Sequence, residues 1–493
     1  MEADGSDTCG GGEGAANLFR LGMCHLQGRG VAQDTARAVH FFQRASDAGD
    51  ANAQFNLGVL YTQGLGVSQD HTQAARFFRL SAERGDAKAQ LQLGVCFVLA
   101  RGVPPSYEEA AAWFRAAAEQ GDASAQYNLG VCLAKGRGVD KAPAEAVKWF
   151  AAAAEQGDAA AQFRLALAYA SGRGALKDIG RAVEWYRRAA ELGHGGALFN
   201  LGVCYAQGDG VVRDPGEAVE WYRRAADAGV MQAQHNLALA LLTGTGCARD
   251  EAAAVRWYLR AAEQGDAKSQ FAAGVCFEVG QGAEKDAGRA ARLYKQAALL
   301  DNPKATVALG LCYKNGVGVA RSAEKAALLF AKAANLGSHR GMYQYSRCLQ
   351  SGEGLEAPVP SEAQEWLERA AVAGSQEAAK LLRAQERAAG HGAVDAPPAA
   401  PVLEAAPEAE ARAASAGAED LSCGHFGDET TAEGAEEEGS GTLPKEARGF
   451  AQAPPSRAPP PRPMRDPPAH DGWKTPSKVR CGLGSFLRRA GKK

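Results

Sequence analysis

Residues 118–150 read AEQGDASAQYNLGVCLAKGRGVDKAPAEAVKWF, and most of the chain is a variation on this stretch. It turns at Gly121-Asp122, runs through an alanine-rich apolar segment to Lys135 and breaks at Gly136-Arg137-Gly138. It resumes after Pro143 as a second apolar segment that reaches Trp149-Phe150. In both segments apolar residues fall three and four apart, the helical period, and the glycines stand where a helix closes in a left-handed conformation. The stretch predicts helix, loop, helix, tight turn.

Working outward, the Leu129-Gly130 pair recurs at 21/22, 57/58, 93/94, 201/202 and 309/310, with degenerate forms at Leu165-Ala166, Leu237-Ala238, Ala273-Gly274 and Tyr345-Ser346. All keep one 36-residue period. The Gly-x-Gly doublet holds the same register and is broken only at Ala100-Arg101-Gly102. So does an aromatic pair, from Phe41-Phe42 to Trp257-Tyr258, which decays to Leu293-Tyr294, Leu329-Phe330 and Trp366-Leu367. Three markers in one register predict ten helical pairs over 15–374, helix A of the second running from about Ala51 to Gln63. Helix B starts are signalled by Asp214-Pro215-Gly216-Glu217, by Ser106 to Glu109 and by Ser361 to Gln364. Helix B ends at a glycine except at Asp301-Asn302-Pro303. A lone hairpin of this length cannot bury its apolar face, so neighbours must stack into an extended superhelix. Alanine four residues before the Leu position and glycine after it let the helices approach closely. Residues 375–389 read as one more amphipathic helix capping the last repeat, with Leu381 and Leu382 inward.

The composition agrees with a helical array. The 493 residues are 46 % hydrophobic and 23 % charged, with a formal net charge of -2 and only 7 % aromatics. No run of eighteen apolar residues is present, and residues 1–14 are acidic, which argues against a transmembrane span or a signal peptide. A cytoplasmic setting with reduced cysteines is the expectation.

Segment 118–150 resembles the Sel-1-like repeat, a relative of the tetratricopeptide repeat with a longer loop between its helices, and the likeness extends over about 15 to 383. The resemblance implies an all-α fold: an α-solenoid, a right-handed superhelix of about ten helix-turn-helix repeats. It further implies a scaffold or adaptor that assembles proteins, in signalling or protein quality control, with no active site. The cysteine-rich bacterial members described as β-lactamases carry paired cysteines in each repeat, whereas this chain has at most one in register. A hydrolase is therefore the lesser alternative, and a structural spacer with recruitment through the tail is the other.

Seven of the eleven cysteines, Cys24, Cys96, Cys132, Cys204, Cys276, Cys312 and Cys348, occupy one column that elsewhere holds Leu60, Ala168 and Ala240. Interchange with Ala and Leu marks a small buried packing site, and the spacing fits no zinc or redox pattern. The nine histidines are scattered, and no Walker loop or G-x-S-x-G elbow occurs. No catalytic residue, metal or cofactor is expected.

On a helical wheel helix A keeps one narrow polar stripe. Its main column is the residue before the Leu position: Arg20, Asn56, Gln92, Asn128, Arg164, Asn200, Asn236, Ala272, Ala308 and Gln344. Asn is a mediocre helix former, so four copies at one position need a reason. The resemblance implies an inner groove in which amides grip an extended peptide or helix of a partner, while the bland reading gives them to the adjacent repeat. Lys268, Lys304 and Arg340 flank the stripe and hint at acidic clients, although 41 basic against 37 acidic residues over 15–384 argues against nucleic acid.

After about residue 390 the periodicity vanishes and the composition predicts disorder. Residues 385–439 hold 13 acids against 2 bases, and 440–493 hold 12 bases against 3 acids. In the basic half Arg457, Pro460, Pro463 and Arg465 fit both orientations of an SH3-type ligand. Thr475, before a proline, suits a proline-directed kinase. The basic C-terminus would make at most weak peripheral membrane contact.

Overall fold

The structure is a computed structural model that describes residues 14–390. The described residues form twenty-one α-helices and no strand. They divide into two compact units, meeting at the boundary between Asp178 and Ile179.

The first unit holds α1 (Ala15–Gln27), α2 (Thr35–Asp47), α3 (Ala51–Gln63), α4 (His71–Ala82), α5 (Ala87–Val98), α6 (Tyr107–Glu119), α7 (Ala123–Lys135), α8 (Pro143–Glu155) and α9 (Ala159–Ser171). The second holds α10 (Ile179–Glu191), α11 (Gly195–Gln207), α12 (Pro215–Asp227), α13 (Met231–Thr243), α14 (Glu251–Glu263), α15 (Ala267–Val279), α16 (Ala287–Leu299), α17 (Pro303–Asn315), α18 (Ala323–Asn335), α19 (His339–Ser351), α20 (Pro360–Val372) and α21 (Gln376–Gly390). Within each unit, odd-numbered helices are the A members and even-numbered the B members, and every helix packs on its neighbours in sequence. The core of each unit is a run of shared A/B/A seams, as an array of stacked hairpins requires.

Local chemistry sets the boundaries. Asp122 accepts a hydrogen bond from the Ala125 amide at 2.8 Å and starts α7, and Asp214 does the same for Gly216 and Glu217 ahead of Pro215 in α12. Asp301 ends repeat eight with φ +56°, the aspartate standing where other repeats use glycine. The expected box at Ser361 to Gln364 is corrected: α20 already begins at Pro360, so Ser361 lies inside the first turn and Val359, without a side-chain acceptor, is the cap.

The Leu-Gly and aromatic markers meet in one contact. A β-carbon on Gly58 would stand 2.6 Å from the Phe78 ring, so glycine lets helix B's second aromatic close against helix A. That aromatic is the anchor of each seam, as in Phe42 and Phe114, both wholly buried. The Gly-x-Gly doublet serves two purposes that repeat three separates. Ala100 takes the first place with φ +51°, a strained position, while Gly102 keeps the second because a β-carbon there would collide with the His71 carbonyl of the repeat before.

Two further expectations are corrected. Repeat ten carries one additional residue ahead of Trp366, so α21 enters with Leu382 at the Leu position and Ala378 at the buried alanine position. Leu381 therefore falls in the polar-stripe column and is 40 % exposed instead of inward. Cys24 is half-buried, α1 having no earlier repeat beside it among the described residues, whereas the other six cysteines of the column are buried.

Candidate functional site

The polar stripe of helix A follows from its surroundings: the Leu, Cys and Ala columns are consumed by the seams, which leaves the residue before Leu at the margin. The structure divides this column. In the first unit Arg20 on α1 is exposed, Asn56 on α3 and Gln92 on α5 are half-buried, and Arg164 on α9 is half-buried. Asn56 donates to the Asn52 carbonyl of its own helix at 2.8 Å. Asn128 on α7 is wholly buried. In the second unit Asn200 and Asn236 are half-buried beside the phenols of Tyr186 and Tyr222 in the preceding helix B, and Asn236 sets its amide on the Tyr222 hydroxyl. Burial drives both phenols upward, Tyr222 to about 12, and the amide partially counters this. Where the facing aromatic is phenylalanine, as Phe42 faces Asn56, no hydroxyl is available. Gln344 on α19 is half-buried, and Ala272 and Ala308 interrupt the stripe between Asn236 and Gln344.

Sequence reasoning missed a second amide column, three residues before Leu, that is far more deeply buried. Gln54, Gln90, Gln126 and Gln162 in the first unit and Gln234 and Gln270 in the second are each at most 6 % exposed. Gln126 donates to the Ala118 carbonyl at the end of the preceding helix B, 3.3 Å away, and its oxygen accepts from Gln156, the C-cap of its own helix B, at 2.8 Å. Gln90 with Gln120, Gln234 with Gln264, and Gln54 with Arg84 repeat the arrangement. Gln270 makes the first bond but has no partner for its oxygen, because Leu300 stands at the C-cap. The recurrence of Gln at this register was the available signal.

The cysteine column is chemically quiet. Burial pushes the Cys96, Cys276 and Cys312 thiols up to about 11 and those of Cys132 and Cys204 up to about 12, the reverse of what a nucleophilic cysteine needs. His235, in a column otherwise aromatic in its neighbours Phe199 and Phe271, shares a hydrogen bond of 2.8 Å with Ser269 and lies 3.4 Å from Asp266, the cap of α15. Among the described residues no cluster of His, Cys, Asp or Glu is gathered to hold a metal, and no helix is long and apolar enough to cross a membrane. The tail motifs at Arg457, Pro460, Pro463 and Arg465, the site at Thr475 and the basic C-terminus lie outside the described residues.

Stacked hairpins with glycine-closed helices, an aromatic anchor and a marginal polar stripe define a helical-repeat protein. The Sel1 repeat profile matches the chain ten times, at residues 18–50, 51–86, 87–122, 123–158, 159–194, 196–230, 232–266, 267–302, 303–338 and 339–375, and the chain belongs to the Sel1 repeat family. Among solved structures it is similar to c5321, a protective antigen of uropathogenic Escherichia coli with this fold, at 29 % identity and a TM-score of 0.65 over 79 % of this chain and 89 % of that one. A Sel1 repeat protein from Oxalobacter formigenes is 30 % identical with a TM-score of 0.50, over 59 % of this chain and 85 % of that one. A search of curated protein sequences returned no match. Sel1 repeat solenoids are generally protein-interaction scaffolds and typically non-catalytic.

Proposed function

We propose that the chain is a non-catalytic adaptor in the cytosol that holds a segment of a partner protein on the polar stripe of helix A, with the tail beyond residue 390 as a second recruiting module. The observation that carries the reading is the division of the stripe. Asn236 is engaged by the Tyr222 hydroxyl of the preceding repeat, whereas Arg20, Asn56 and Gln92 form a consecutive polar row on α1, α3 and α5 with no side-chain bond to another repeat among the described residues. Partly exposed amides at regular spacing can pair with the backbone of a bound segment, which gives affinity with little demand on its side chains. The SH3-type motif at Arg457 to Arg465 and a phosphate at Thr475 would let a signalling protein choose what the tail recruits.

Affinity capture with the full chain tests this. Arg20, Asn56 and Gln92 changed together to Ala should leave the circular dichroism spectrum unchanged and remove a defined subset of the partners held by the natural chain. An unchanged partner set refutes the stripe and leaves the spacer reading, in which changes at Arg457 and Pro460 alone alter recruitment.

A further inference from the structure

The residue that follows the aromatic pair of helix B is Arg79, Arg115, Arg187 and Arg223 in four of the repeats. Three of these arginines reach into the next repeat. Arg79 lies over the Phe97 ring, 5.7 Å from its centre, Arg115 pairs with Glu145 at 3.1 Å, and Arg187 donates to the Tyr205 hydroxyl at 2.9 Å. Arg223 pairs with Glu220 on its own helix at 3.8 Å. The first repeat carries Gln43 at this position. Its shorter side chain stays on α2 and donates to Asp47 at 3.1 Å. Repeats three to seven also place tryptophan where repeat two has Phe77. With a shorter side chain on one wall and a smaller ring on the other, α2, α3 and α4 line a cavity of about 510 Å³, a volume within the range of small-ligand sites.

The groups that those arginines find in other repeats are present here and unused. Tyr61 stands at the position of Phe97 and Tyr205, and Gln73 at that of Glu145. Both line the cavity, and among the described residues neither side chain makes a hydrogen bond. Asp47 and Asp70 line it as well, and neither is in an ion pair among the described residues. Asp70 commits only its Oδ1, to the amides of Thr72 and Gln73. We infer that the cavity receives the arginine side chain of a partner segment, in the place that Arg79, Arg115 and Arg187 fill from within the chain. A guanidinium brings five donors in one plane to the hydroxyl, amide and carboxylate oxygens gathered here, and its face suits an aromatic ring. A lysine ammonium, a compact point charge, matches neither feature as well. Two cations of the chain share the cavity. Arg84 is committed to the Gln54 side chain and the Leu80 carbonyl, whereas Arg76 is exposed and without an ion pair, so it supplies the opposing charge. The cavity shares no residue with the polar stripe of helix A, and its occupancy is independent of what the stripe holds.

Saturation-transfer NMR with the full chain and N-acetyl-arginine amide tests the proposal. The blocked arginine should bind, while blocked citrulline, its uncharged isostere, and blocked lysine should each bind at least about fivefold more weakly. Gln43→Arg supplies the guanidinium from within, so it should abolish the binding and raise the urea midpoint of the chain. Asp47→Asn, at the exposed last residue of α2, should weaken binding about fivefold with an unchanged melting temperature, and Arg76→Ala should strengthen it. No binding of the blocked arginine, equal binding of blocked citrulline, or undiminished binding to the Gln43→Arg chain would overturn the proposal. Tighter binding of free L-arginine than of the blocked form would overturn the assignment to a protein segment and give the cavity to a small molecule.

Discussion

At the scale of single residues, the repeat's exceptions measure what its rules are worth. Ala100 holds a left-handed φ that its fellows give to glycine, at a cost of about 1 kcal/mol for a side chain there. Ala100→Gly should therefore raise stability by about that amount. Gly102→Ala should lower it by more than 2 kcal/mol, because the His71 carbonyl has to move as well as the backbone. Thermal melts of the two variants check the pair, and effects of equal size would show that the two positions are equivalent. The unpartnered oxygen of Gln270 gives a second case. Leu300→Gln restores the cap that Gln120, Gln156 and Gln264 supply elsewhere and should stabilise by about 1 kcal/mol, whereas Gln264→Leu should cost Gln234 a comparable amount. Urea midpoints decide between these and no change.

At the scale of the element, helix A was legible and its polar columns were only half so. The helix ends follow from glycine, aspartate and proline acting on their own backbone, which is local chemistry, so α3 runs over the expected Ala51–Gln63. The fate of an amide depends on what lies across a chain reversal. The Asn column stood out because asparagine is unfavourable in a helix, while Gln126 and its fellows are ordinary helix formers and drew no notice. Their partners, a carbonyl eight residues back and a C-cap thirty residues on, are visible only once the hairpins are stacked. Similarly, nothing in the sequence separates Asn56 from Asn236 without knowing that Tyr222 faces the latter. The two kinds of amide should respond differently. Asn236→Ala should destabilise by about 1 kcal/mol through the lost bond to a buried hydroxyl, and Asn56→Ala by no more than a few tenths. Equilibrium unfolding of both variants reads the difference, and equal losses would show that the facing hydroxyl is irrelevant.

At the scale of the whole molecule, the recurring cysteines make stability fall in alkali. An unfolded thiol titrates near pH 8.5–9, whereas burial holds Cys96 at about 11 and Cys132 and Cys204 at about 12. Between those limits the unfolded chain has released protons that the folded chain keeps, so each pH unit above about 9 favours unfolding by roughly 1.4 kcal/mol for each such thiol. The urea midpoint should be level from pH 7 to 8.5 and decline steeply by pH 10. Cys132→Ala should make the decline shallower, and an identical slope in that variant would assign the effect to tyrosines or lysines instead. Iodoacetamide at pH 8 should leave these three cysteines unmodified in the folded protein.

The glutamine link has a further consequence, which concerns how such an array acquires its length. Residues 123–158 contain Gln126, its cap Gln156, the Gly130 that admits Phe150, and an Asp158 that starts the helix after it. The buried glutamine fastens this segment backward to a main-chain carbonyl, which any preceding copy provides whatever its side chains. A verbatim duplication of the segment in the gene would thus arrive with both halves of its own fastening and ask for no compensating change in its neighbours. The additional residue before Trp366 breaks that interchangeability at the far end, so expansion and contraction of the copy number belong to the interior of the array while its last repeat stays fixed in place.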